Sequence, residues 1–279
     1  MERKIKLLIE YEGSAYHGWQ FQRNGLSVQE VLEKCIQKTV KRKTTLHSSG
    51  RTDAGVHAEG MVAHFTTVSK MTEDEFMRAF NSFLPHDIVI KEVSVVPMGF
   101  DARRSAGTKT YRYTILNRSY PSALLYRRCL FVPFPLDISA MRRAKNYLIG
   151  KHDFTSFRAS NCGSKSPVRE IFKIELIKKG EFVFLFFEGG GFLKHMVRNI
   201  VGTLIQVGWR QIKASDVKLI LESRDRQKAG PTAEPQGLCL VNVEYSKFHT
   251  FKEGKGRKSK MELCAPCSSL FCQDIFIVD

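Results

Sequence analysis

The sequence predicts an α+β protein of two similar α/β halves with a cleft between them, and three observations carry that prediction. The chain has 279 residues, 43% of them hydrophobic and including 20 Phe, 8 Tyr and 2 Trp, which is core material for one large domain or two ordinary ones. Strand-like and helix-like hydrophobic periods alternate through the first hundred residues, and a similar alternation returns after residue 108. Between the two runs, Asp101-Ala-Arg-Arg-Ser-Ala-Gly107 is polar and without period. The expected organisation is an N-terminal domain over 1–105, a C-terminal domain over 106–246, and a tail over 247–279.

In the first half, Ile5, Leu7, Ile9 and Tyr11 alternate with polar residues, the pattern of an opening strand. Ser27-x-x-Glu30 has capping-box spacing, where the first and fourth residues satisfy each other's open backbone N–H groups. Val28, Val31, Leu32, Cys35, Ile36 and Val40 follow at helical intervals. Met61 to Phe65 reads as a strand. Thr72-x-x-Glu75 is a second box, opening a helix with Phe76, Ala79, Phe80 and Phe83 on one face, and Pro85 stops it. Ile88 to Val96 is the next strand.

The second half opens with a strand from Thr108 to Leu116. A helix over Asp137–Ile149 ends at Gly150. Arg169–Lys178 and Phe182–Glu188 form a hairpin around Lys179-Gly180. A long helix over Phe192–Trp209 and a shorter one over Ser215–Ser223 precede a closing strand from Leu238 to Tyr245.

Charge narrows the partner. Lys and Arg total 44 against 28 Asp and Glu, a formal net charge of +16, which points to a polyanion, nucleic acid ahead of an anionic membrane surface. The seven cysteines are odd in number and scattered, unlike a disulfide framework, and no apolar run has the length of a signal or membrane segment. The expected compartment is therefore the reducing cytoplasm. The tail crowds Lys247, Lys252, Lys255, Arg257, Lys258 and Lys260 into a Gly- and Ser-rich stretch and ends in a Cys264, Cys267 and Cys272 cluster, for which zinc binding is a weak reading.

Several segments carry chemistry. In Gly50-Arg51-Thr52-Asp53-Ala54-Gly55-Val56-His57-Ala58, glycines allow close backbone approach, and Arg51, two residues before Asp53, favours the charged carboxylate. An ionised Asp on such a loop is a nucleophile candidate, while an aspartate that merely shapes a turn stays open as the plainer alternative. Thr108 to Tyr113 interleaves cations and rings, with Lys109, Tyr111 and Tyr113 on one face and Arg112 on the other; rings stack on unpaired bases and cations meet phosphates. On the long helix, Leu193, Val197, Ile200 and Leu204 form a core stripe. Lys194, Arg198 and Gly202 share another flank, where Gly202 leaves room for a close neighbour. Gly189-Gly-Gly191 lacks the third glycine of a dinucleotide fingerprint, no Walker A motif occurs, and His47, His57 and His64 lack metal-ligand spacing.

Six motifs in order resemble the tRNA pseudouridine synthase A family over residues 5 to about 246: Tyr11–Gln20, Gly50–Ala58, Lys109–Tyr113, His152–Phe157, Gly191–Gly202 and Ala229–Leu238. The resemblance implies two α/β domains built on antiparallel sheets, with helices on one face of each and an RNA-binding catalytic cleft between. It implies a homodimer that isomerises uridines 38, 39 and 40 in the anticodon stem-loop of tRNA, without cofactor or metal. Carried over residue by residue, it makes Asp53 the catalytic carboxylate, Tyr111 the base-stacking ring, Arg51 and Arg198 the arginine partners, and Leu238 an apolar wall of the uracil pocket. The tail lies beyond the usual family body. Two other readings stay open: a catalytically silent tRNA-binding protein on the same scaffold, and an enzyme that cleaves the N-glycosidic bond without rejoining it.

Overall fold

A computed structural model describes residues 1–245; the expectations for the tail, including Cys264, Cys267 and Cys272, lie outside them. The elements in order are β1 (Arg3–Tyr11), α1 (Val28–Val40), β2 (His47–Ser48), β3 (His57–Thr67), α2 (Glu73–Phe83), β4 (Ile88–Val96), β5 (Lys109–Asn117), β6 (Leu130–Val132), α3 (Ile138–Lys145), β7 (Gly150–Asp153), β8 (Val168–Lys179), β9 (Phe182–Gly189), α4 (Met196–Gly208), α5 (Asp216–Ser223) and β10 (Leu238–Val243).

All ten strands among the described residues belong to one mostly antiparallel sheet, in the order β4-β1-β3-β10-β5-β9-β8-β7, with β2 added to β3 and β6 to β5. The strand that joins the halves is β10. It runs parallel to β3, with Leu240 opposite Ala58, and antiparallel to β5, with Leu240 opposite Tyr111. One row of side chains thus crosses the five central strands β1, β3, β10, β5 and β9 through Tyr11, Ala58, Leu240, Tyr111 and Phe187.

Local chemistry explains most elements. Ile5, Leu7, Ile9 and Tyr11 are the buried side of β1. Both halves of the Thr72/Glu75 capping box form, and α2 buries Phe76 and Phe80 against Phe65 in a cluster with ring centroids 5.4–6.2 Å apart. Each such buried ring contributes about 2–3 kcal/mol. Phe83, expected on that face, is instead 51% exposed, with the Lys38 ammonium over its ring. At the head of α1 only one half of the box forms: Ser27 accepts the Glu30 N–H, while the Glu30 carboxylate turns outward to Lys34.

Other boundaries depart from the sequence pattern. The strand expected at 61–65 extends over 57–67 because β3 is paired along both edges, by β1 on one side and by β2 and β10 on the other, and nearly all of its residues are buried. The helix expected over 137–149 is α3 followed by a single 3-10 turn at Asn146–Leu148. The helix expected from Phe192 begins only at Met196: His195 is left-handed, with φ 63°, and Phe192 turns aside to pack edge-on against Tyr111, centroids 5.3 Å apart. From there α4 is buried on almost every side rather than along one stripe. Among the described residues Cys35, Cys129, Cys162 and Cys239 are free, and no helix is long and apolar enough to cross a membrane.

Candidate active site

The segment Gly50–Val56 links β2 to β3 and is held from beneath by the loop after β1. Trp19 N–H donates to the Thr52 carbonyl at 3.1 Å, and Gly55 N–H to the Tyr16 carbonyl at 3.3 Å. The two loops lie so close that a Cβ on Gly13 would sit 2.0 Å from the Val56 carbonyl oxygen, and one on Gly18 2.6 Å from that of Thr52. Gly18 also has φ +83°, a conformation other residues adopt only with strain. Two side chains tie the loop to the sheet. Tyr11 Oη shares a hydrogen bond of 2.8 Å with Thr52 Oγ1. His57 Nδ1 accepts the Gly13 N–H at 3.0 Å, so its Nε2–H donates to the Gln236 carbonyl at 3.1 Å. Burial lowers the His57 pKa and keeps that acceptor nitrogen available.

Asp53 receives its cation from the other half of the chain. Arg198, in the first turn of α4, places Nη1 3.3 Å from Asp53 Oδ2, with the arginine side chain 12% exposed and the aspartate 23%. Arg198 Nε donates to the Ala233 carbonyl at 2.7 Å, and Ala233 N–H returns to the Arg198 carbonyl at 3.1 Å. The guanidinium is therefore aimed by the 229–234 loop. That loop is in turn bound to α4: Gly230 N–H donates to Thr203 Oγ1, and Thr232 Oγ1 and Arg226 both donate to Asn199 Oδ1. The room expected beside Gly202 is taken by the Pro231 carbonyl, 1.8 Å from where a Cβ would lie.

His195 Nε2 stands 3.7 Å from Asp53 Oδ2. Sequence reasoning missed this residue; its position three before Arg198, in the same motif, was the available signal. Burial lowers its pKa, and Asp53 acts against that. Tyr11 was also missed as a site residue, although it is the last inward position of β1 and carries a polar tip.

The remaining expected residues divide. Tyr111 is 9% exposed, and burial, followed by the nearby Asp53 charge, raises its pKa, which keeps the phenol protonated. Its hydroxyl has no hydrogen-bond partner among the described residues. Leu238 is buried at the start of β10, opposite Tyr113. Lys109 shares the Tyr111 face, while Arg112 on the opposite face pairs with Glu59 at 2.6 Å. Arg51 does not do what its neighbourhood in sequence promised: its side chain is exposed and makes no ion pair with Asp53. Buried Thr52 separates the two, Arg51 turns to solvent, and Arg198, 145 residues away, takes that place. His57 and His64 are buried hydrogen-bonded histidines, and no cluster of metal-ligating side chains occurs among the described residues.

A carboxylate held by a guanidinium, beside an imidazole and a protonated phenol, can act as a nucleophile or take up a proton. The model of the tRNA pseudouridine synthase family matches residues 7–103 and 144–246, which include all the groups just described except Tyr111. A curated protein of Geobacter sp. strain M21 named tRNA pseudouridine synthase A is 48% identical over 244 residues, covering 87% of this chain and 99% of its own. One of the same name from Acetivibrio thermocellus is 47% identical over 243 residues, covering 87% of this chain and all of its own. With both stretches of the family model matched and relatives covered end to end, the chain belongs to the tRNA pseudouridine synthase family.

Proposed function

We propose that this chain isomerises uridine to pseudouridine at positions 38, 39 and 40 of the tRNA anticodon stem-loop, with Asp53 as the nucleophile. The reaction breaks the N1–C1′ bond, turns the uracil and forms a C5–C1′ bond. Asp53 attacks either C1′ of the ribose or C6 of the base. The observation that carries the reading is the Arg198–Asp53 ion pair at 3.3 Å, which couples the loop of one half to a helix of the other. Arg198 aims the carboxylate, Tyr111 stacks on the uracil, Leu238 contributes an apolar wall, and the exposed Arg51 contacts RNA. The target base leaves its stack to reach Asp53, at a cost of a few kcal/mol that phosphate contacts offset. The working unit is a cytoplasmic homodimer of two-domain protomers, divided near residue 105, that uses no metal or cofactor.

The test is pseudouridine mapping on an unmodified tRNA transcript, together with mass analysis. Isomerisation leaves the mass unchanged, whereas base loss does not. Asp53→Asn should abolish product while tRNA affinity stays within about threefold, since the carboxylate is no phosphate ligand. Turnover in a sequence-verified Asp53→Asn protein would remove Asp53 from the mechanism.

A further inference from the structure

We propose that Lys109, Arg103 and Arg169 form a binding site for one backbone phosphodiester of the RNA strand, next to the nucleotide that enters the Asp53 site. This rests on the reading of Asp53 given above and adds the group that registers the strand against it.

Lys109 begins β5, two residues before Tyr111 and on the same face, so the two side chains are about 7 Å apart along the strand. Its ammonium donates to the Ser49 carbonyl at 2.6 Å and would lie 3.4 Å from a Cβ on Gly50, at the stem of the Asp53 loop. Among the described residues no carboxylate pairs with it. The charges that act on it are Arg103 and Arg169, both positive, and with burial as the larger cause they push its pKa down to about 8. Gly189, opposite Lys109 on β9 and opposite Ile171 on β8, puts no side chain between Lys109 and the strand that carries Arg169.

Neither arginine forms a salt bridge among the described residues. Arg169 donates to the carbonyls of Ser166 and Val168 and to Ser164 Oγ. Arg103 sits on a turn whose one acid, Asp101, is occupied by the Arg103 and Arg104 backbone N–H groups at 2.9 and 2.8 Å. Three cations that act on one another, none in a salt bridge among the described residues and one of them largely desolvated, repel one another in the free protein. An anion supplied by the ligand removes that repulsion, and the multiply charged ligand of this family's substrate class is the phosphodiester backbone. Because Lys109 also holds Ser49, filling the site steadies the loop that leads to Asp53.

The test is a functional-group cycle. Stem-loop RNAs carrying one uncharged methylphosphonate at each linkage around the target uridine are titrated against wild type, Lys109→Gln and Lys109→Arg. At one linkage, neutralisation should weaken wild-type and Lys109→Arg binding about tenfold, and Lys109→Gln less than twofold. The slope of log affinity against log salt should also fall by about 0.7–0.9 in Lys109→Gln. Additive losses at every linkage would overturn the proposal. If Lys109→Gln fails to fold, the same cycle with the exposed Arg103→Gln decides it by the same criterion. Tritium release from tRNA bearing 5-tritiated uridine is measured in parallel: a wild type that turns over but shows additive losses sinks only the phosphate site, and one that shows the coupling without turnover sinks only the proposed isomerisation.

Discussion

Gly202→Ala is the substitution that most sharply probes how Arg198 is aimed. The new Cβ would lie 1.8 Å from the Pro231 carbonyl oxygen, against an ordinary contact of 3.4 Å or more, so the 230–233 segment must retreat by about 1.5 Å. The neighbour is backbone, and no rotamer change relieves it. A retreat of that size stretches Ala233 N–H to the Arg198 carbonyl (3.1 Å), Gly230 N–H to Thr203 Oγ1 (2.9 Å) and Arg198 Nε–H to the Ala233 carbonyl (2.7 Å) out of hydrogen-bond range. Three bonds at about 1 kcal/mol each put the loss of stability near 3 kcal/mol. Without its Ala233 anchor the guanidinium drifts from Asp53, and a misplacement of about 1 Å lowers turnover on the order of a hundredfold. Equilibrium urea denaturation measures the first quantity. Tritium release from 5-tritiated tRNA measures the second, because the C5–H bond is replaced by C5–C1′. Gly99→Ala is the control, since nothing lies within 4 Å of its Cβ; its stability should stay within about 0.5 kcal/mol of wild type. A Gly202→Ala protein as stable and active as this control would refute the account of the loop.

Three further outcomes are expected. Arg198→Met should lower turnover about 10²–10³-fold with a much smaller change in tRNA affinity, and unchanged turnover in single-turnover assays would remove its role. Lys109→Met should stabilise the free protein by up to about 3 kcal/mol at pH 7, because the buried ammonium, its pKa pushed down to about 8, is charged at a cost in the fold. The unfolded chain holds more protons between pH 8 and 10.5, so wild-type stability rises through that window relative to the variant; parallel urea midpoints across pH 7–10.5 would contradict this. His64, whose pKa burial lowers to about 4, accepts the Ala102 N–H through Nδ1 at 3.1 Å. The unfolded chain binds the extra proton between pH 6.5 and 4, so stability should fall as pH falls through that range, and fall less in His64→Gln; identical pH profiles would count against it.

Much of this protein was legible because its signals are local. Alternation along β1, helical spacing in α1, the Thr72/Glu75 box and Pro85 act within a few residues, and each produced the element expected. The Asp53 segment stood out as a Gly-bounded loop, but its residues alone left a turn-shaping aspartate open, because its glycines answer to distant partners: a Cβ on Gly55 would meet Pro235 and one on Gly50 the Lys109 ammonium. What failed were inferences that needed to know what lies opposite. Phe83 has the spacing of a core residue, but among the described residues only the Lys38 ammonium lies over its ring and it stays half exposed. The start of α4 shifts because Phe192 has Tyr111 to pack against.

The sequence by itself determined the run of strands and helices, the basic surface and the carboxylate. The tertiary structure decided the company Asp53 keeps. Adjacency in the chain nominated Arg51, yet a loop side chain's direction is set by contacts from elsewhere. The fold turns Arg51 to solvent and brings Arg198 and His195 to the carboxylate. β10 makes this possible by pairing with β3 and β5 at once, so that hydrogen bonds between distant strands, rather than any local preference, bring the two halves to one site.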